Sequence, residues 1–291
     1  MSDQPPQYQP LADELKRLGF IRTPLVESAF RNVPRHLFLP GVPQEEVYKN
    51  QAIITKRIAG KPVSSSSEPA MMAIMLEQLG LEPGHRVLEI GAGTGYNAAL
   101  MSHIVGEMGQ IITVDIDADI AAAAQQNLAA AGFKQVQVIC EDGGNGYAAA
   151  APYDRIILTV GSWDITPAWR EQLKPNGRLL LPLSIKTRQI SVAFKSAGNH
   201  LVSLSIVPCG FMKLRGAFAK PKSNIPQWLS EQIIFNRIVP SSFIDWMAFG
   251  RFSRENLRIR VYPHNTAYIP DSGELVVVKR WTKLVIDFNS A

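Results

Sequence analysis

The stretch from Val87 to Tyr96, VLEIGAGTGY, constrains the fold of this chain more than any other feature. An apolar run leads into three glycines at alternate positions, which predicts a buried strand, a tight turn and the start of a helix. Glycine allows positive φ angles and close approach of a ligand, and the helix start offers free N–H groups. The stretch favours a site for a nucleotide-shaped cofactor, with a purely structural turn as the alternative.

Two features of this turn narrow the choice of cofactor. In the dinucleotide fingerprint a third glycine follows the first by five residues and lies against a pyrophosphate, but here that position is Tyr96. Glu89 places a carboxylate just before the turn, which suits a cationic ligand better than a diphosphate. S-adenosyl-L-methionine, which becomes S-adenosyl-L-homocysteine on methyl transfer, fits both facts. The expected cofactor contacts in this stretch are Glu89, Gly91, Ala92, Gly93 and Gly95.

The order of apolar runs predicts the fold class. Runs that read as buried strands alternate with helical stretches, at 86–91, 110–115, 135–140, 153–160 and 177–182. This succession predicts an α/β fold with a doubly wound, Rossmann-like, mostly parallel sheet and helices on both faces. Two further runs, 189–195 and 201–207, predict an antiparallel hairpin that closes the sheet. Asp117 and Gly132 are expected to cap the alanine-rich helix between the second and third strands.

The chain is expected to divide into three parts. Residues 1–62 have helical periodicity broken by prolines and predict an N-terminal helical cap. Residues 63–220 form the predicted cofactor-binding domain. Residues 221–291 predict a small C-terminal α+β extension, with a helix near 228–239 and strands at 257–262, 274–280 and 283–288.

Composition excludes several classes of protein. Hydrophobic residues make up 46% of the chain and charged residues 19%, as in ordinary folded proteins. No apolar run approaches the roughly 18 residues of a membrane span, and the N-terminus does not resemble a signal peptide, so we expect a cytoplasmic protein that binds no membrane. The net charge of +5 is dispersed, which argues against a nucleic-acid partner.

The two cysteines and five histidines show no ligand spacing, so no metal site is expected. Cys140 and Cys209 lie at the ends of apolar runs and are interpreted as small core residues without a disulfide.

Acidic residues follow the predicted strands at the edge where such sheets bind ligands. Asp115 comes 24 residues after Gly91, the usual distance for a carboxylate that accepts both ribose hydroxyls, and Ile116 follows it. Asp142 and Gly143 end the third strand, where the carboxylate could accept from an adenine amino group. An ordinary Asp-Gly turn is the equal alternative there. Thr159 and Gly161 end the fourth strand at the same edge. Besides Asp115 and Asp142, the expected cofactor contacts at this edge are Ile116, Gly143 and Thr159.

From about Leu15 to Gly216 the chain resembles protein-L-isoaspartate O-methyltransferases, which use S-adenosylmethionine to methylate a carboxylate on a peptide chain. The resemblance rests on four segments: RNVPRHLF at 31–38, the glycine turn at 87–96, EDG at 141–143 and LKPNGRL at 173–179. It implies the class I methyltransferase fold. It also implies carboxyl O-methyl transfer to aspartyl or isoaspartyl residues of a protein or peptide.

The resemblance gives a role to the serine run before Glu68 and Pro69, which by itself favours a solvated linker and helix start. The Thr-Ile-Ser-Gln-Pro stretch of the family falls on 65–69. Ser67 thereby takes the place of the catalytic serine, Ser65 that of the threonine, and Ser66 is expected to assist. The expected substrate-side residues are Ser64, Glu68, Val160, Gly161, Ser162 and Trp163.

Departures from the family pattern fall on the substrate side. Glu68 replaces a glutamine, Ala70 replaces a common tyrosine, and TVGSWD at 159–164 replaces Thr-Ala-Ala-Pro. These features resemble a branch of the family that methylates a normal aspartate in ribosomally made, modified peptides, where the ester can cyclise to an aspartimide. A non-catalytic module that binds S-adenosylmethionine is the alternative of another class. A nucleic-acid methyltransferase is disfavoured, because the chain lacks an Asn/Asp-Pro-Pro-aromatic tetrad.

Overall fold

The computed structural model describes residues 9–185, 188–198, 200–219, 257–268 and 276–288. Within these ranges the helices are α1 (Gln9–Arg17), α2 (Pro24–Asn32), α3 (Gln44–Val47), α4 (Pro69–Leu79), α5 (Tyr96–Val105), α6 (Ala118–Ala130) and α7 (Pro167–Glu171). The strands are β1 (Ile53–Ile58), β2 (Lys61–Ser66), β3 (Arg86–Ile90), β4 (Gln110–Asp115), β5 (Gln137–Cys140), β6 (Tyr153–Leu158), β7 (Leu173–Ile185), β8 (Arg188–Ala197), β9 (His200–Cys209), β10 (Leu257–Tyr268) and β11 (Val276–Phe288).

The N-terminal region contains the predicted helices and also a hairpin that was not predicted. Helix α2 begins at Pro24, and the hydroxyl of Thr23 accepts a hydrogen bond from the backbone N–H of Val26, as expected of an N-cap. Strands β1 and β2 then pair antiparallel as a separate two-stranded sheet. Because side chains alternate along a strand, Ser64 and Ser66 on β2 turn inward and are buried. The interpretation of the serine run as a solvated linker is therefore wrong.

The main sheet confirms the predicted α/β class. Its described strands lie in the order β10-β11-β9-β8-β7-β6-β3-β4-β5. Neighbours among β5, β4, β3, β6 and β7 are parallel, while β7, β8 and β9 are joined antiparallel, as predicted for the closing hairpin. Consecutive residues of β3 belong to different hydrophobic clusters: Val87 to the cluster that includes residues of α1, α2, α4 and α5, and Leu88 to the cluster that includes Trp169 of α7.

The predicted helix between the second and third strands is α6. Asp117 occupies its N-cap position, and Gly132 beyond its end has a φ of 89°. The Asp117 side chain makes no capping hydrogen bond, because its carboxylate is engaged in ion pairs instead.

The described part of the C-terminal region extends the sheet. Strand β11 pairs antiparallel with β10 and, near Val285, with β9. The two strands predicted at 274–280 and 283–288 are joined in the single strand β11. The helix predicted near 228–239 lies outside the described residues.

Three further expectations concern the cysteines, metal sites and membrane-spanning helices. Both cysteines are free, but Cys140 is exposed at the end of edge strand β5, so its expected place in the core is wrong. No group of three or more His, Cys, Asp or Glu suited to a metal occurs within the described ranges. In the same part of the chain, no helix combines the length and apolar character needed to cross a bilayer.

Candidate active site

A cavity of about 460 Å³ opens at the carboxyl ends of β3, β4 and β6. The chain leaves β3 with β4 on one side and β6 on the other, so this is the switch point where open α/β sheets bind ligands. The predicted cofactor residues that line the cavity are Glu89, Gly91, Ala92, Gly93, Asp115, Ile116, Gly143 and Thr159. The predicted catalytic and substrate-side residues that line it are Ser64, Ser65, Ser66, Ser67, Glu68 and Val160.

Glycine is required in the turn between β3 and α5. Gly91 has a φ of 103°, and a Cβ there would lie 2.5 Å from Oγ1 of Thr159. The Thr159 hydroxyl donates to the carbonyl of Gly91 at 2.7 Å, which ties the ends of β3 and β6 together. Gly95 does not line the cavity. It lies against Leu128 of α6, so its contribution here is close packing between helices.

Asp115 is fixed at the end of β4 by backbone donors. Its carboxylate accepts hydrogen bonds from the N–H of Gly93 at 3.2 Å and from the N–H of Asp117 at 3.1 Å. Burial raises its pKa, and these two backbone hydrogen bonds oppose the rise. A carboxylate has about four acceptor positions, so Asp115 keeps capacity for two ligand hydroxyls.

Glu89 is completely buried at the base of the turn. The Thr113 hydroxyl and the Asn97 amide each donate to its carboxylate at 2.7 Å. Burial raises the pKa of Glu89 to about 7, and the two hydrogen bonds only partly offset that effect. A cationic ligand in the cavity would favour the ionised form of this carboxylate.

Asp142 is satisfied by backbone groups and does not line the cavity. Its two oxygens accept from the N–H of Gly144 at 2.9 Å and from the N–H of Ala217 at 2.7 Å. The observed geometry matches an Asp-Gly turn that also anchors a distant segment. Contact of Asp142 with an adenine amino group stays a prediction, whereas Gly143 does border the cavity.

The four serines at 64–67 differ in the hydrogen bonds that their hydroxyls make. The hydroxyl of Ser64 accepts from the hydroxyl of Thr55 at 3.0 Å, and the hydroxyl of Ser66 accepts from Arg35 at 3.2 Å. Ser65 and Ser67 are half-buried. Their hydroxyls have no hydrogen-bond partner among the residues that the structure describes, so both are available to a ligand.

Arg35 holds the serine run in place. This role was not predicted, although Arg35 lies in the segment 31–38 that carries part of the family resemblance. This fully buried guanidinium donates to the carbonyls of Val47, at 2.8 Å, and Ser67, at 3.0 Å, and to the Ser66 hydroxyl. It also lies 6.0 Å from the ring centroid of Tyr96, at the start of α5. Arg35 thereby links the serine run to the cofactor turn.

The end of β9 and the segment that follows it form one wall of the cavity, which was also not predicted. We call residues 208–219 the strap. Pro208 to Arg215 line the cavity, and the strap pairs with Gly161 through two backbone hydrogen bonds, at 2.6 Å to the carbonyl of Met212 and at 2.8 Å from the N–H of Leu214. Local sequence patterns do not predict this contact, because the residues that form it are about fifty positions apart.

Three predicted substrate-side residues do not line the cavity: Gly161, Ser162 and Trp163. Gly161 and Trp163 contact the strap instead. The Trp163 indole donates to the carbonyl of Phe218 at 2.9 Å and stacks on its ring at 5.4 Å. Ser162 is fully buried, and its hydroxyl donates to the carbonyl of Asp164 at 2.6 Å. Direct substrate contact by these residues stays a prediction.

The fold and the site together define a class: S-adenosylmethionine-dependent methyltransferases with a Rossmann-like sheet. Within that class, the chain belongs to the protein-L-isoaspartate(D-aspartate) O-methyltransferase family, whose family model matches residues 7–216.

Named relatives agree with this assignment. The protein-L-isoaspartate O-methyltransferase of Methanopyrus kandleri is 37% identical over 217 residues, covering 73% of this chain and 94% of the relative. Protein-L-isoaspartate O-methyltransferase 2 of Archaeoglobus fulgidus is also 37% identical, covering 66% of this chain and 86% of the relative.

Solved structures extend the similarity to nearly the whole chain. A protein-L-isoaspartate O-methyltransferase structure superposes with a TM-score of 0.68 at 26% identity, covering 98% of this chain and 88% of that chain. A Plasmodium falciparum structure, described as a putative member in complex with S-adenosyl-L-homocysteine, has a TM-score of 0.63. At 18% identity, with 72% of this chain and 98% of that chain covered, it supports the fold alone.

Proposed function

We propose that this protein transfers a methyl group from S-adenosylmethionine to the free carboxylate of an isoaspartyl residue in a protein or peptide. The observation that carries the proposal is one cavity that joins two kinds of group. The cavity is lined by the glycine turn and Asp115 and also by Ser65 and Ser67, whose hydroxyls have no hydrogen-bond partner among the described residues. Membership of the family supports both the cofactor and the substrate.

The residues of this site fit the cofactor. Asp115 would accept the ribose hydroxyls, Ile116 would contact the adenine from its exposed position, and Glu89 would face the positively charged part. The sulfonium supplies an activated methyl group. When bound, the cofactor would supply this methyl group to a carboxylate oxygen, and the electron pair of the S–CH₃ bond would stay on sulfur.

The chain's own residues have to align the carboxylate and exclude water. Carboxyl groups titrate at about 4, so the nucleophile is already ionised near neutral pH and needs no strong base. The hydroxyls of Ser67 and Ser65 would donate hydrogen bonds to it and direct one oxygen at the methyl group. Ordering two reactants in this way can contribute roughly 7–11 kcal/mol to lowering the barrier.

Apolar side chains around the serines are suited to excluding water. Ile54, Val63, Met71 and Phe211 line the same cavity. Removal of water strengthens the hydrogen bonds from the serines to the carboxylate. Glu68 lies at an exposed position in the lining and would repel a second negative charge on the substrate.

Matched peptides test the proposal. The full-length protein is incubated with methyl-labelled S-adenosylmethionine and two peptides of one sequence, which differ in carrying isoaspartate or aspartate at one position. Base-labile label on the isoaspartyl peptide is the expected result. Label on the aspartyl peptide alone would overturn the proposed substrate, and label on neither, with cofactor binding confirmed, would overturn the catalytic proposal. The cytoplasmic location expected from the sequence stays a prediction.

A further inference from the structure

Asp117 lies where three elements around the cavity meet. Its carboxylate accepts hydrogen bonds from both terminal nitrogens of Arg215, from Nη1 at 3.0 Å and from Nη2 at 2.7 Å. It also forms an ion pair with Nζ of Lys56 at 3.3 Å. Lys56 in turn pairs with Asp119 at 2.7 Å. Arg215 belongs to the strap, Lys56 to β1, and Asp117 to the loop between β4 and α6. We call Lys56, Asp117 and Arg215 the clasp.

Each element joined by the clasp contributes a wall of the cavity. The strap lines it from Pro208 to Arg215, and the hairpin lines it through Ile54, Pro62 and Val63. The end of β4 contributes Asp115, and the loop after it contributes Ile116. A ligand that leaves between these walls therefore requires the strap or the hairpin to move away from the loop.

Asp117 of the clasp is also linked to Asp115 through its backbone. The backbone N–H of Asp117 is one of the two donors that fix the Asp115 carboxylate. Any movement of Asp117 towards or away from the strap therefore alters the hydrogen bonding of the residue expected to accept the ribose hydroxyls.

The ion pairs are partly shielded from water. The side chain of Asp117 is 17% exposed, that of Lys56 25% and that of Arg215 39%. The Arg215 pair is bidentate, the geometry in which an arginine-carboxylate contact is strongest. Arg215 also lowers the pKa of Asp117, so the carboxylate stays ionised across the neutral range.

We propose that Arg215 and Lys56 are positioning residues that retain the cofactor, because their ion pairs with Asp117 hold the strap and the hairpin closed over the cavity. The inference rests on the proposed function for the identity of the cofactor. Breaking the clasp should act mainly on dissociation, since closed walls must part before release, while entry into an opened cavity is less affected.

The test of the clasp measures how fast labelled S-adenosylhomocysteine leaves the full-length protein. Release is started by adding excess unlabelled ligand. Arg215→Gln and Asp117→Asn should each speed release about fivefold to tenfold, the range expected for a partly shielded, bidentate pair. Because Arg215 acts through Asp117, the double variant should release no faster than Asp117→Asn. Arg215→Lys should restore part of the wild-type rate. Lys16→Gln is the control, since it breaks the 2.7 Å Lys16–Glu27 pair, whose members do not line the cavity.

A second readout covers the case in which Asp117→Asn fails to fold. Hydrogen exchange at the Leu214 amide, which donates to Gly161, should accelerate in Arg215→Gln. Unchanged release together with unchanged exchange would overturn the clasp. Additive effects in the double variant would also overturn it, because Arg215 would then act on the cofactor directly. Failure of the wild-type protein to bind S-adenosylhomocysteine would overturn the proposed function as well.

Discussion

At the scale of single residues, the serines at 64–67 divide into members that hold the local structure and members that can bind a ligand. The hydroxyl of Ser67 has no hydrogen-bond partner among the described residues and Ser67 lines the cavity, whereas the hydroxyl of Ser64 is paired with Thr55. Ser67→Ala should lower kcat about 10- to 100-fold, the effect of one hydrogen bond to a charged group. Its dissociation constant for S-adenosylhomocysteine should not change. Ser28→Ala is the matched control, because Ser28 pairs with His103 and does not line the cavity. Equal kcat values in Ser67→Ala and the wild type would remove Ser67 from the mechanism.

Asp115 is expected to act on cofactor binding. Asp115→Ala removes the carboxylate that would accept two ribose hydroxyls, so binding should weaken about tenfold or more. Isothermal titration with S-adenosylhomocysteine measures this directly. The exposed residue Asp13 pairs with Arg31 and does not line the cavity, so Asp13→Ala is the control. An unaltered dissociation constant in Asp115→Ala would refute the ribose role.

Glu89 should make the stability of the cofactor-free protein depend on pH. Burial raises its pKa from 4.5 to about 7, so the folded protein holds the proton more strongly than the unfolded chain. The contribution to stability is therefore complete below about 4.5 and lost as the pH rises through 7, a change of about 3 kcal/mol.

Urea unfolding at pH 5 and pH 8 measures this change. Glu89→Gln is neutral in both states and should lose less unfolding free energy than the wild type between these two pH values. Equal losses in the two proteins would show that Glu89 titrates normally.

At the scale of elements, the turn from β3 to α5 depends on Gly91. Gly91→Ala combines a positive φ with contact between Cβ and Thr159, so it should lower the unfolding free energy by about 1–3 kcal/mol and weaken cofactor binding. Gly132→Ala is the control, because its φ is 89° but nothing lies within 4 Å of a Cβ. It should cost about 1 kcal/mol and leave cofactor binding unchanged. Identical affinities in the two variants would contradict the role of the turn.

The same elements show what the sequence could predict. The strand, turn and helix around Gly91 were predicted because apolar periodicity and glycine spacing are local signals, and the parallel order of strands followed from them. The burial of Ser64 and Ser66 was missed because it depends on pairing with β1 and on Arg35, which comes 31 residues earlier than Ser66. The strap was not predicted because it too depends on contacts between distant parts of the chain: Arg215 and Asp117, which form an ion pair, are 98 residues apart in the sequence.

At the scale of the whole molecule, the site belongs to the part of the chain that the family shares. The described lining residues fall between Ala52 and Arg215, and the family model spans 7–216. A chain that ends at Ala219 should therefore bind S-adenosylhomocysteine with the dissociation constant of the full chain, as measured by titration. It should also be less soluble, because β9 would lose its neighbour β11 and become an exposed edge. Loss of cofactor binding in the shortened chain would contradict this division.

The proposed function requires one cavity to bring the activated methyl group and an isoaspartyl carboxylate together. Mass spectrometry of a single reaction measures this, by quantifying S-adenosylhomocysteine, the methylated isoaspartyl peptide and the aspartimide formed from the ester over time. The amount of S-adenosylhomocysteine should equal the sum of ester and aspartimide, with the methyl group of the ester on the isoaspartyl carboxylate. S-adenosylhomocysteine without either peptide product, or an unchanged peptide in the presence of bound cofactor, would contradict the proposed function.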